Sequence, residues 1–327
     1  MAPLRLLDAG DPLVTNGSLF DDGAMPDKPH ADPGDHVAVI AALGRLGMVG
    51  AWDRVRAGEA LEGLDRADAD LLCAAGVLGR RGVDRYTVID DDLVDLDGAI
   101  VGNAMVAELR RALEHTERRS AGWDGANPET VLSQGRASRA VADHIARALL
   151  PQMPESRGAF ESGVSRFLDV GVGVAAISAR LCQIYPDLAC VGIDVLPEVL
   201  RLAASELTGL GLADRVELRA QSVGELSDVE AFDLAWLPQP FIPRPAFEAG
   251  IPLIHRALRP NRWVVVPLAA GKASDPFEVA VFNHTAQVLG GGPIGVADAE
   301  YLLASAGFDQ ITSTSWRGQM LVLARRP

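Results

Sequence analysis

Lysine is almost missing from this chain: Lys28 and Lys272 are the only two among 30 basic residues. Acidic side chains outnumber basic ones, 44 to 30, for a formal net charge of −14. Nucleic-acid binding draws most of its strength from cationic contacts to phosphate, so this balance argues against an RNA or DNA substrate and for a small molecule. No apolar run approaches the ~18 residues of a membrane span. The N-terminus lacks a basic stretch followed by an apolar one, so no secretory signal is expected and the reading is cytoplasmic. Cysteine is scarce. Cys73, Cys182 and Cys190 lie in apolar helix- or strand-like segments and read as reduced core thiols, with no metal site expected. Only six histidines are present, so candidates for a general base are few.

What is present is apolar substance and glycine. The 327 residues, 48% of them apolar, suit one large or two modest domains. Residues 1–34 carry Asp, Pro and Gly without apolar periodicity and read as an extended or disordered arm. Residues 35–127 are expected to form a mainly helical unit, with a helix from 36 to about 50, another from 67 to 75, and a strand–turn–strand over 76–88. Residues 128–327 make the remaining domain, which opens on a helix expected over 138–150.

The most informative stretch is Phe167-Leu168-Asp169-Val170-Gly171-Val172-Gly173-Val174-Ala175. An apolar strand ends in an acid, glycine recurs at alternate positions, and Ala176 to Ile184 reads as a helix. A strand, a glycine turn and a helix N-terminus let a nucleotide-like ligand approach the backbone. A second apolar strand, 189–194, ends in Asp194 about twenty residues on, where a carboxylate can hold a ribose diol. The run Gly171-x-Gly173-x-x-Ala176 also fits the dinucleotide fingerprint in its alanine form, so a nicotinamide enzyme is the competing reading of this motif.

The order of later segments decides between them. Arg215 to Ser222 reads as a third strand and turn, Phe232 to Leu237 as a fourth strand, Ala257 to Trp263 as a turn before a fifth, and Tyr301 to Phe308 as a late helix and turn. With Asp169-x-Gly171-x-Gly173 and Asp194, this series resembles the class I S-adenosylmethionine-dependent methyltransferases over roughly residues 130–327. The hairpin at 76–88, with its Asp84-Arg85-Tyr86, resembles the N-terminal dimerisation domain of the two-domain small-molecule O-methyltransferases, a winged-helix-like unit. A winged helix also raises the possibility of DNA binding. Residues 1–127 hold 23 acidic and 13 basic side chains, and Asp90-Asp91-Asp92 follows the wing, which is the wrong charge for that role.

The resemblance implies a Rossmann-like α/β fold: seven mostly parallel strands, helices on both faces and a reversed last strand. It implies S-adenosylmethionine (SAM) as cofactor, a small, fairly apolar metabolite as acceptor, and a homodimer. Asp169, Val170, Gly171, Gly173, Asp194, Val195, Gln221, Ser222, Val223 and Trp236 would line the cofactor. Trp236 has a second reading, as a core residue covering the sheet. Trp123 and Phe241 would line the substrate, though Trp123 could equally be a packed linker residue. The chain departs from the pattern where Ala175 replaces a third glycine and Ser222 an aspartate. The general-base histidine of the two-domain enzymes would fall near Ile242, which cannot take a proton. The segment Pro238-Gln239-Pro240-Phe241 instead resembles the acceptor-holding motif of amino-group methyltransferases, which makes Gln239 a catalytic candidate. His284, after the fifth strand, is the other. The expectation is methyl transfer by positioning and desolvation, the alternative a SAM-binding regulator or non-methylating enzyme on the same fold.

Overall fold

In a computed structural model, the described residues are 57–74, 78–88, 121–163, 165–269, 276–316 and 319–327, with isolated positions between 54 and 117. The expected arm 1–34, the helix over 36–50 and the acidic run 90–92 lie outside them.

In the N-terminal part, helix α1 (Gly63–Ala74) begins four residues before the expected 67–75 and precedes an antiparallel hairpin of β1 (Leu78–Arg80) and β2 (Tyr86–Val88), within the strand–turn–strand expected over 76–88. Tyr86 is 1% exposed and donates its hydroxyl to Asp70 of α1 at 2.6 Å, pinning hairpin to helix. Arg80 pairs with the same carboxylate.

Helix α2 (Pro128–His144) starts ten residues earlier than its apolar pattern suggests. The Asn127 side chain accepts from the Glu129 amide at 2.9 Å and Pro128 occupies the first turn, which together make a strong helix start. A π-turn over Ile145–Leu149 and a short helix, α3 (Pro154–Ser162), lead into the main sheet.

The sheet then forms in alternation with helices: β3 (Arg166–Val170), α4 (Ala176–Ile184), β4 (Ala189–Asp194), α5 (Pro197–Gly209), β5 (Val216–Ala220), β6 (Phe232–Trp236), α6 (Arg244–Ala257), β7 (Leu258–Leu268), α7 (Pro276–Leu289), α8 (Val296–Ser305), β8 (Asp309–Trp316) and β9 (Gln319–Arg325). Strand order is β5-β4-β3-β6-β7-β9-β8. The first five strands in this order are parallel, and β9 runs antiparallel to both β7 and β8. The fold is the expected seven-stranded, mostly parallel α/β sheet.

Parallel strands buried on both faces read as continuous apolar runs. One face, with Leu168, Val170, Val191, Val264 and Val266, packs under Phe247, Ile251 and Ile254 of α6 and Leu303 of α8. The other, with Phe167, Cys190, Leu234, Trp236 and Val265, packs under Phe160, Leu181 and Leu207 of α3, α4 and α5. The turn expected over 257–263 is drawn into β7. Its register slips between Phe232 and Leu234, and Asn261 takes a φ of 60° to make the bend.

Candidate functional site

Strand order reverses between β3 and β6, because the chain first builds outward to β5 and then returns to the other side of β3. In open α/β sheets this reversal leaves a crevice at the carboxyl ends of the strands. Both glycines of the motif lie there. Gly171 has φ 63° and Gly173 φ 55°, the left-handed region. A Cβ added at Gly171 would meet nothing nearer than Pro238 at 3.9 Å, and at Gly173 nothing nearer than the Gly171 carbonyl at 4.0 Å. The turn is therefore open on its outer side, which suits a ligand seated against the backbone.

Ala175 replaces the expected third glycine, and its effect exceeds that of one extra methyl. It adopts φ 61°, fully buried, at the cap of α4, so an L-residue holds a conformation that favours glycine. Val172 packs onto β4 where Gly192 leaves room, since a Cβ there would lie 2.5 Å from the valine.

Two acidic side chains flank the turn in different surroundings. Asp194, at the end of β4, accepts from the Gly173 amide at 3.2 Å and the Leu196 amide at 3.0 Å. Burial raises its pKa, and these amides partly oppose the rise. Asp169 is 1% exposed and accepts from Ser178 Oγ at 2.7 Å. Burial pushes its pKa up to about 7. Its observed partner is thus α4, so it braces the turn from below.

Val195 is 61% exposed beside Asp194, an aliphatic surface suited to a flat ring. Ser222 caps a short turn by accepting from Gly224 at 3.2 Å, and Glu225 reaches back to the Ser222 amide. The Gln221 side chain donates to the Glu225 carbonyl at 2.8 Å. Val223 departs from expectation: its side chain is buried against Gly250 of α6, which leaves only its backbone for a ligand. Val170 is likewise buried and offers only backbone. Trp236 pairs in register with Asp169 at the end of β6 and packs among core residues, 5% exposed.

Of the remaining candidates, Trp123, Gln239 and Phe241 lie near one another beyond Pro238. Phe241, in the short helix Gln239–Phe241, lies 5.9 Å from the Trp123 ring. Trp123 also packs against Val174 of the glycine turn through a small cluster with Val131. Gln239 is fully buried, and its Nε2 donates to the Gly291 and Gly292 carbonyls at 3.2 and 2.9 Å. The Gly291 amide returns a bond to Pro240 at 2.9 Å. The glycine run thus clamps this segment, and Gln239 Oε1 is buried without a partner among the described residues. Trp123 lines a small open cleft of about 20 Å³ with Arg111, Glu114, His115 and Val288. His284 is exposed on α7, edge-on to His115 with ring centres 5.7 Å apart. Ile242, where the resemblance places the family's base, is 6% exposed and part of the core.

Sequence reasoning missed Ser178, the clamp on Gln239, and the pairing of His115 with His284. Each acts through a contact between segments 9 to 169 positions apart, and no local pattern marks it. Among the described residues no group of three or more His, Cys, Asp or Glu could hold a metal ion, and no helix is long and apolar enough to cross a membrane.

Comparison with known proteins agrees with this geometry. Residues 167–261 match a family model described as a methyltransferase domain. Among solved structures, human N-acetylserotonin methyltransferase in complex with SAM is 15% identical, with 93% of this chain and 99% of that one covered and a TM-score of 0.60. The S-adenosylmethionine-dependent methyltransferase SibL is 20% identical, with 89% and 97% covered and a TM-score of 0.60. An O-methyltransferase family protein from Burkholderia thailandensis is 17% identical, with 90% and 96% covered and a TM-score of 0.53. No curated protein matches the chain at a significant level of sequence similarity. The family match spans the glycine turn, both flanking acids and the switch point, so residues 167–261 resemble a methyltransferase domain in sequence, and the whole sheet shares the fold of these solved methyltransferases.

Proposed function

We propose that SAM binds across the crevice at Gly171 and Gly173, and that its methyl group passes to a small, fairly apolar metabolite seated beside Trp123 and Phe241. The observation that carries this reading is the open glycine turn with the Asp194 carboxylate against the Gly173 amide. When bound, SAM supplies an electrophilic methyl on a sulfonium leaving group. In this reading Asp194 accepts from the ribose hydroxyls and Val195 covers one face of the adenine. The turn around Gln221, Ser222 and Val223 presents backbone to the ring edge. Asp169 holds the turn in shape through Ser178.

Acceptor positioning falls to the clamped segment. Trp123 and Phe241 form an apolar wall that excludes water, and Gln239 Oε1 takes a hydrogen bond from an N–H or O–H of the acceptor. His284 would exchange a proton only from the outer edge of this region, beside His115. Transfer then rests on alignment and desolvation. The second reading, a non-methylating SAM-binding protein, is favoured by Ile242 at the place of a base. A methylated product separates the two.

We further infer a cytoplasmic homodimer, with an arm over 1–34, a winged-helix-like dimerisation and lid unit over 35–127 and the catalytic domain over 128–327. Light scattering tests the dimer. The deciding experiment for the cofactor is calorimetric titration with SAM and S-adenosylhomocysteine on wild type and Asp194→Ala. Micromolar binding that collapses in the variant supports the site and justifies a substrate screen. No binding by folded wild-type protein sinks the reading.

A further inference from the structure

Cys182 of α4 and Cys190 of β4 bring their sulfurs to 3.5 Å, both thiols free and each residue 2% exposed. Around them Cys182 Sγ lies 3.6 Å from the Leu188 carbonyl and Cys190 Sγ 3.8 Å from the Ser178 carbonyl. A disulfide needs an S–S distance of about 2.05 Å, so closing this pair takes a displacement of roughly 1.5 Å.

The place of the pair gives that displacement a consequence. Helix α4 begins at the glycine turn, and β4 ends at Asp194, so the two sulfurs join the elements that carry the two halves of the candidate site. Ser178, whose carbonyl faces Cys190, is the residue whose hydroxyl holds Asp169 at 2.7 Å. Drawing α4 toward β4 therefore acts on the brace beneath the turn.

The two thiols are chemically unequal. The Arg215 guanidinium is anchored on the Leu188 carbonyl at 3.0 Å and the Tyr185 carbonyl at 3.1 Å, close to Cys182. The hydrogen bond with Cys190, and then Arg215, hold the Cys182 thiol below its usual range. Burial, followed by Cys182 itself, pushes the Cys190 thiol well up. A more acidic thiol beside a less acidic one is the arrangement in which one sulfur attacks and the other resolves.

We propose that Cys182 and Cys190 form an oxidative modification site, which hydrogen peroxide converts to a disulfide that shifts α4 against β4 and weakens ligand binding at the glycine turn. The last step rests on the proposed cofactor site. The Cys182 thiolate attacks one peroxide oxygen, the O–O bond breaks, and the departing hydroxide takes up a proton to leave as water, giving a sulfenic acid. The Cys190 sulfur then attacks the sulfenic sulfur, the S–S bond forms, the S–O bond breaks, and a second water leaves with the thiol proton. Two thiols are oxidised by two electrons and one peroxide is reduced. A dithiol reductant reverses the change.

The test uses the full chain in a Cys73→Ser background, so that only this pair remains. Folded protein is treated with peroxide and followed by intact mass, peptide mapping, hydrogen exchange and S-adenosylhomocysteine titration. The expected result is the loss of two hydrogens in mass, a linked Cys182–Cys190 peptide and altered exchange at the amides of α4, all reversed by dithiothreitol. Affinity for S-adenosylhomocysteine should fall at least about tenfold, as a shift near 1 Å in a binding element commonly does. Cys182→Ala should keep its affinity under peroxide. Thiols that stay reduced, oxidation to sulfinic acid without a linked peptide, or a disulfide that leaves α4 exchange unchanged would each overturn the proposal. If reduced protein binds no S-adenosylhomocysteine, the cofactor reading fails by itself, while mass and exchange still decide the thiol site.

Discussion

Ser178 donates its hydroxyl proton to Asp169 across 2.7 Å, and both residues are buried under the turn that follows β3. The carboxyl would ionise near 3.8 in an unfolded chain but is pushed up to about 7 here, chiefly by burial. Between those values the folded state holds a proton that the unfolded state has lost. The contribution of Asp169 to stability is therefore intact below its unfolded pKa and is lost as pH rises through 7. Asp169→Asn, which keeps a hydrogen-bond acceptor for Ser178, should leave stability unchanged near pH 4 and raise it at pH 8. The gain has a ceiling of about 4 kcal/mol, since each tenfold change in proton affinity between folded and unfolded states is worth about 1.4 kcal/mol. Urea unfolding at the two pH values measures it, and an equal effect at both would contradict the buried, proton-holding carboxyl.

Ala175 sets two small effects against each other. Its left-handed backbone costs about 1–2 kcal/mol relative to a relaxed L-residue, whereas its buried methyl is worth ~0.8 kcal/mol. Ala175→Gly should thus change stability by less than about 1 kcal/mol. Ala175→Val, with a branched Cβ at φ 61°, should lose more than ~2 kcal/mol. Chemical denaturation of the pair of variants tests the backbone conformation directly.

Gly291 has no room for a side chain. An added Cβ would clash with the Gln239 carbonyl oxygen and lie 2.7 Å from the Pro240 carbonyl carbon. Gly291→Ala must push the loop away and release Gln239 from its two carbonyl partners. In the proposed function this disturbs acceptor positioning and spares the cofactor. Turnover of an identified acceptor should fall at least about tenfold, with S-adenosylhomocysteine affinity within about threefold of wild type. Equal losses in both would mean the loop supports the whole crevice.

Asp233 is a buried carboxylate whose role is architectural. It is 1% exposed, accepts from the Arg166 amide at 2.9 Å and Arg262 Nε at 3.0 Å, and pairs with Arg259. Its arginines are partly hydrated, which moderates the loss when the acid is removed. Asp233→Ala should still cost ~3 kcal/mol by leaving buried donors unpaired. Its S-adenosylhomocysteine affinity, measured on the folded fraction, should stay at the wild-type level.

The legible part of the chain is the part written in periodic or turn-forming residues. Helix α4 is expected over Ala176 to Ile184 and forms there, because Gly171 and Gly173 stop the preceding strand and the following residues have a helical apolar stripe. Strand β6 is one residue shorter than its apolar run suggests, and β4 forms as read. What escapes the pattern is of a different kind. Nothing in Leu-Pro-Gln-Pro-Phe announces that the glutamine amide will be taken by carbonyls 52 and 53 positions away. Asp233 reads as one more strand residue until Arg259 and Arg262 close on it. The inward direction of Val223 depends on Gly250, a helix residue that is silent in sequence. Patterns fix which residues face a core, while pairings across the fold depend on where distant segments meet.

Among the described indoles, Trp123 is placed differently from the two in the core. Trp236 and Trp263 are each 5% exposed within one apolar cluster, so their fluorescence should be blue-shifted. Trp123 stands against Phe241 at the cleft, its indole nitrogen without a hydrogen-bond partner among the described residues. A ligand that reaches that nitrogen would red-shift and quench the Trp123 emission. In the proposed function, Trp123 would therefore report acceptor binding through its own emission.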